Sequence, residues 1–177
     1  MKLMIASDIH GSAFYCRKLL EAFKDEHAER LLLLGDILYH GPRNDLPKDY
    51  APKEVIAMLN GIKENILCVR GNCDTEVDQM VLEFPVLSEQ ALLSIDGIEM
   101  LAVHGHKAFP AVKSGTVILS GHTHIPKCEE KDGAVFMNPG SVSIPKENSH
   151  YGYMIFEHGE FIWKDFDGNV KNKYLIR

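Results

Sequence analysis

Five short apolar runs constrain this 177-residue chain more than any other feature. They are Leu3-Met4-Ile5-Ala6, Leu31-Leu32-Leu33-Leu34, Ile66-Leu67-Cys68-Val69, Met100-Leu101-Ala102-Val103 and Val117-Ile118-Leu119. None alternates polar with apolar residues, so each reads as a strand covered on both faces. Two helical segments lie between the first three. Ser12 is placed to cap a helix whose Tyr15, Leu19, Ala22 and Phe23 share one face, and Pro52 suits the first turn of another, continued by Val55, Ile56, Leu59 and Ile62. The first half therefore predicts a β-α-β-α-β unit with parallel strands. After Met80 the punctuation becomes Asp96-Gly97, Asp132-Gly133, His158-Gly159 and Asp167-Gly168, which predicts hairpins, a mixed sheet and closing strands from Tyr153 to Phe156, Phe161 to Phe166 and Val170 to Ile176.

The residues that follow each apolar run carry the chemistry. In order they are Asp8-Ile9-His10-Gly11, Gly35-Asp36, Gly71-Asn72-Cys73-Asp74, His104-Gly105-His106 and Gly121-His122-Thr123-His124. Ligands of α/β sheets bind at the carboxyl ends of strands. Taken singly, each piece reads as well as an ordinary turn or cap. Five such turns converging on one edge would set oxygen donors beside imidazoles, a mixture that suits divalent first-row ions. The segment from Leu38 to Pro52, with Pro42, Pro47 and Pro52 beside Gly41, Asn44 and Asp49, predicts a long ordered loop of the kind that serves function.

Charge narrows the partners. Nineteen Lys and Arg stand against 25 Asp and Glu, a formal net charge of −6, which argues against gripping long nucleic acids through a basic face. No apolar stretch approaches the roughly 18–20 residues that span a bilayer, and the apolar run after Lys2 is too short for a signal-peptide core. Four cysteines without CxxC spacing fit a reduced, cytoplasmic setting. One domain, residues 1–177, is expected from the length.

The ordered set Asp-x-His, Gly-Asp, Gly-Asn-x-Asp, His-Gly-His and Gly-His-Thr-His, followed by Asn138-Pro139-Gly140-Ser141, resembles the calcineurin-like metallophosphoesterases. Ser143-Ile144-Pro145-Lys146 and His40-Gly41-Pro42-Arg43-Asn44 are similar to their small bacterial YfcE-type phosphodiesterase subgroup, so the resemblance spans essentially the whole chain. It implies an α/β fold: a four-layer α/β/β/α sandwich of two mixed β-sheets flanked by helices. It implies a dinuclear centre, with Asp8, His10, Asp36 and His124 on one metal and Asp36, Asn72, His104 and His122 on the other. Mn²⁺ is the first expectation, with Zn²⁺, Fe²⁺ or Ni²⁺ as alternatives. Two such ions hold a hydroxide and a phosphoryl oxygen together for in-line attack on a small phosphodiester.

One position departs from the wider family, where a histidine follows Gly-Asn. Here Cys73 stands there, followed by Asp74, as in the YfcE-type subgroup. Cys73, Asp74 and His106 are the candidate catalytic residues; the general acid is open between Cys73 and His106, and an activated leaving group needs neither. Arg43 and Asn44 are candidate substrate contacts with Asn72, because arginine suits bidentate phosphate recognition; a surface or subunit-contact arginine is the alternative. Asn138 to Ser141 reads as the turn that orders nearby ligands. The competing functions are a phosphomonoesterase or nucleotide phosphatase, and a Vps29-type protein-interaction scaffold. A homo-oligomer, dimer or tetramer, is also expected.

Overall fold

The computed structural model describes residues 1–176; position 177 of the expected single domain lies outside the described residues. Strand β1 (Leu3–Ala6) leads through helix α1 (Ala13–Asp25) to β2 (Arg30–Leu33), and α2 (Pro52–Asn60) leads to β3 (Ile66–Cys68). The short helix α3 (Glu76–Val81) precedes β4 (Gln90–Ile95), β5 (Ile98–Val103), β6 (Val117–Leu119), β7 (Lys127–Lys131), β8 (Ala134–Asn138), β9 (Gly152–Glu157), β10 (Glu160–Asp165) and β11 (Val170–Leu175). Ser12 caps α1, accepting a hydrogen bond from the Tyr15 amide. Pro52 opens α2, but the helix closes at Asn60 against Gly61, so Ile62 falls beyond it. Helix α3 has no counterpart in the sequence expectations. Its local signal is a reciprocal Thr75–Asp78 capping box.

The strands form two mixed sheets. One runs β11-β10-β9-β1-β2-β3, with β1, β2 and β3 parallel; the other runs β4-β5-β6-β8-β7. The five apolar runs therefore do not share a sheet. Three belong to the first and two, β5 and β6, to the second. Backbone at Asp96-Gly97, Asp132-Gly133 and His158-Gly159 has positive φ at both residues, which suits two-residue hairpins. At Asp167-Gly168 only the glycine does, and the β10–β11 pairing shifts register between Trp163 and Lys164, a longer and irregular connection.

Strand alternation explains how both faces of the first sheet are apolar. Met4, Ala6, Leu31 and Leu33 turn toward α1 and α2, where Leu19, Val55 and Leu59 meet them. Leu3, Ile5, Leu32 and Leu34 turn toward Met100, Ala102, Val117, Leu119 and Met137 of the second sheet. Phe156, Phe161 and Trp163 fill the rest of that inter-sheet core. The outer layer over the second sheet carries no helix among the described residues; Val112 and Phe109 from the segment between β5 and β6 pack there instead, with Phe109 edge-on to Phe136. Face-to-face packing brings the carboxyl ends of β1, β2 and β3 and those of β5 and β6 to one rim of the sandwich.

Candidate metal centre

The turns at that rim are stitched to one another by their own backbones. The Asp8 amide donates to Gly35 O at 3.1 Å and the His10 amide to Asp36 O at 2.9 Å, joining the β1 and β2 turns. The Gly121 amide donates to His104 O at 2.9 Å, joining the β5 and β6 turns. Among the bonds that cross between the sheets are His122 N–H to Asp8 Oδ2 at 3.1 Å and His104 Nδ1 to Leu34 O at 2.6 Å. Such close approach needs glycine. A Cβ on Gly71 would lie 2.1 Å from Asp36 Oδ1, and one on Gly121 would lie 1.9 Å from Ser7 Oγ and 2.8 Å from Asp8 Oδ2. Asp8, His10, Asp36, His122 and His124 all adopt left-handed backbone, with φ between 49° and 65°. Strain of that kind costs about 1–3 kcal/mol per residue and gathers where geometry serves function.

Backbone carbonyls fix the imidazoles. His10 Nδ1 donates to Tyr39 O, His124 Nδ1 to Ile144 O and His104 Nδ1 to Leu34 O, at 2.6–2.7 Å. Each ring thereby carries a hydrogen on the outward nitrogen and turns Nε2 inward. Those nitrogens face other acceptors. His10 Nε2 and His124 Nε2 are 3.2 Å apart, His124 Nε2 lies 3.1 Å from Asp8 Oδ1, and His104 Nε2 lies 3.1 Å from Asn72 Oδ1. Asp8 Oδ1 is buried and has no hydrogen-bond donor. Asp36 Oδ2 stands between the groups, 3.7 Å from His10 Nε2 and 3.4 Å from His104 Nε2. Imidazole nitrogens and carboxylates aimed at common points attract protons or metal cations, and this mixed donor set fits divalent metal ions.

Electrostatics agree. Burial by itself would raise the Asp8 carboxyl, but the His10 and His124 imidazoles hold it far below the usual carboxylate range. Burial lowers the His104 imidazole, yet the hydrogen bond and charge of Asp36, with Asp8 nearby, raise it to about 9. Asp74 is buried, and its carboxylate accepts from the amides of Asp36, Ile37 and Gly71 at 2.8, 2.9 and 2.7 Å. Those bonds occupy both oxygens, so Asp74 holds the Asp36 turn in place and does not reach into the cleft. Burial, then the Asp36 charge, pushes the Cys73 thiol up to about 12, while its amide donates to Asp36 Oδ1 at 2.8 Å.

The expected site residues divide into three groups. Asp8, His10, Asp36, His104 and His124 are buried and draw their ligand atoms together, with Cys73 beside His10 and Asp36. His122 and Asn72 stand at the rim of a small cleft of about 40 Å³, lined also by Gly41, Arg43, Asn44, Cys73 and Lys146. Asn44 keeps its amide on the carbonyl of His40 at 2.8 Å. His106 lines a neighbouring cavity of about 150 Å³, its ring centre 5.5 Å from that of His104. Asn138 orders the β6 turn, donating to Gly121 O and Thr123 Oγ1 at 2.7 and 3.1 Å, and its own carbonyl receives the Trp163 indole N–H at 2.7 Å.

These features place the sequence among known proteins. A family model described as the calcineurin-like phosphoesterase superfamily domain matches residues 1–160. The chain belongs to the calcineurin-like phosphoesterase superfamily. It is 43% identical over 162 residues to the phosphodiesterase YfcE of Escherichia coli (strain K12), covering 89% of this chain and 88% of that one. It is 29% identical over 151 residues to the phosphodiesterase MJ0936 of Methanocaldococcus jannaschii, covering 79% and 83%. The solved YfcE structure from E. coli superposes over the whole of both chains with a TM-score of 0.96 and 39% identity. Zinc-bound Vps29 from Entamoeba histolytica shares the fold over the whole of both chains, with a TM-score of 0.67 and 19% identity.

Four further residues contribute in ways that the sequence did not specify. Ser7 Oγ donates to Asp8 Oδ2. Ser141 and Ser143 both donate to the Asp8 carbonyl, at 2.8 and 3.2 Å, across more than 130 residues of sequence. Lys146, at the end of the same segment, lines the cleft.

Proposed function

We propose that this protein is a metal-dependent phosphodiesterase that hydrolyses a small phosphodiester at a dinuclear centre. Asp8, His10, Asp36 and His124 would hold one ion, and Asp36, Asn72, His104 and His122 the other, with Mn²⁺ the first candidate. One observation carries the reading: three imidazole nitrogens and two buried carboxylates converge, and the Asp8 Oδ1 among them has no hydrogen-bond donor. The kinship with proteins named phosphodiesterases supports the diester. When bound, the two ions supply Lewis acidity toward the phosphoryl oxygens and a water ionised near neutral pH.

The chain's own residues supply positioning. Main-chain carbonyls lock the ring orientations, and Asp74 and the Cys73 amide fix Asp36 from the opposite side. Of the two candidates for protonating the leaving oxygen, Cys73 lines the cleft and His106 does not, so Cys73 is the nearer. Four free thiols support a reducing compartment, the cytoplasm; among the described residues no helix is long and apolar enough to cross a membrane.

The direct test incubates the protein with Mn²⁺ and either bis(p-nitrophenyl) phosphate or p-nitrophenyl phosphate. We expect metal-dependent nitrophenolate release, faster from the diester, and its loss in Asp36→Asn. Faster release from the monoester would assign a phosphomonoesterase. No metal-dependent release, with Asp36→Asn indistinguishable from the wild type, would leave a scaffold of the Vps29 kind.

A further inference from the structure

Two cationic side chains line the metal cleft: Arg43, a candidate phosphate contact from the sequence, and Lys146, which has no assigned place in the chemistry above. Arg43 comes from the loop between β2 and α2, and Lys146 from the segment between β8 and β9. Neither head group has an ion-pair or hydrogen-bond partner among the described residues. Lys146 is nevertheless well anchored. Its amide donates to the carbonyl of His124 at 3.2 Å, and its own carbonyl accepts from the Ser149 hydroxyl at 2.7 Å and the Ser149 amide at 3.0 Å. The same segment receives His124 Nδ1 at Ile144 O and binds the Asp8 carbonyl through Ser141 and Ser143. The peptide that positions a metal ligand therefore also sets where Lys146 starts, while its long side chain stays free to meet something that enters the cleft.

Charge indicates what enters. On the dinuclear reading, on which this inference rests, two divalent ions are offset by Asp8, Asp36, an attacking hydroxide and the single negative charge of a diester. The buried Asp74 carboxylate beneath the Asp36 turn offsets one more positive charge, so Arg43 and Lys146 together still leave the cleft one positive charge in excess. Two free cations within a small cleft suit an anion that a simple diester does not bring. We propose that Lys146, with Arg43, is a specificity-determining residue that binds a second phosphate group on the substrate. The preferred substrates are then small phosphodiesters that carry an additional phosphate, rather than neutral-armed diesters.

The test compares two chromogenic diesters on the Mn²⁺-loaded protein: a p-nitrophenyl nucleoside phosphate, and the same compound with a second phosphate on the other sugar hydroxyl. We expect kcat/KM about tenfold higher for the doubly phosphorylated compound, through KM, the size of one exposed charge-assisted contact. In Lys146→Met the ratio falls to near unity, and Lys146→Arg restores it. Equal kcat/KM for both compounds in the wild type, or an equal fractional loss on both in Lys146→Met, overturns the assignment; the latter would put Lys146 on the scissile phosphate. Calorimetric titration with a nucleoside bisphosphate and the matching monophosphate reads the same preference without turnover. The wild type should bind the bisphosphate more tightly and Lys146→Met should bind the two alike, whereas equal affinities in the wild type overturn the assignment. If neither diester is hydrolysed with any metal, the phosphodiesterase reading fails, and the titration still decides the role of Lys146.

Discussion

At the scale of single residues, the centre depends on which nitrogen of each ring carries hydrogen. Backbone carbonyls of Tyr39, Ile144 and Leu34 make that choice, so in the proposed centre His10, His124 and His104 would present their inner nitrogens to a metal without turning their rings. Asp36 stands between the two halves, with Oδ1 committed to the Cys73 amide and Oδ2 facing His10 and His104. Asp36→Asn should therefore lower the content of both metals together, measured by elemental analysis after dialysis; retention of two tight ions would break the assignment. His122 stands at the rim and outside the buried ligand clusters, so His122→Ala should weaken mainly one ion. Equal loss of both would mean that the pairing is wrong. The residue types were legible in the sequence, and so was their order. Their strained backbone was not, although Asp and His are among the residues that best tolerate left-handed φ.

At the scale of elements, each buried strand delivers its turn to the rim, and glycines let those turns touch. Gly121 shows how little room remains, since an added methyl would collide with Ser7 Oγ and press on Asp8 Oδ2. Gly121→Ala should destabilise the metal-free protein by about 1–3 kcal/mol, as overpacking does, and weaken metal binding as well. Thermal melts with and without Mn²⁺ separate the two effects; a variant with wild-type midpoints in both would show that the turn yields freely. The sequence showed Ser12 and Pro52 as helix starts because those signals are local. It did not show α3, whose six residues are too few for a periodic pattern. It marked Asn138 to Ser141 as a turn that orders ligands, but not that Ser141 and Ser143 brace the Asp8 carbonyl, because those hydrogen bonds cross the whole chain.

At the scale of the whole molecule, two sheets share one core, and the centre lies where both end. Trp163 of the first sheet is buried and donates to Asn138 at the end of β8, so the core itself holds the β6 turn. The buried cluster links pH, metal and stability. In metal-free protein the His104 pKa is raised from 6.5 to about 9, so the stability it contributes is full below 6.5 and is lost as pH rises through about 9. Asp8 and Asp36 are held low, so their contribution is present at neutral pH and is lost in acid. Metal competes with protons for the same nitrogens and binds better as pH rises. Midpoints in chelator should therefore fall between pH 6.5 and about 9, whereas Mn²⁺ should stabilise by about 2.7 kcal/mol for each ion bound at a hundredfold excess over its Kd. A flat profile in chelator would remove His104 from this account. The sequence by itself determined the strands, the two long helices, most hairpins and the ligand types, because burial pattern, caps and turn residues act within a few positions. Only the tertiary structure decided that the five strands divide between two sheets, which ring nitrogens face inward, that Asp74 is a brace, and that Lys146 reaches the cleft. Each of those depends on contacts between segments distant in sequence, which leave no local pattern to read.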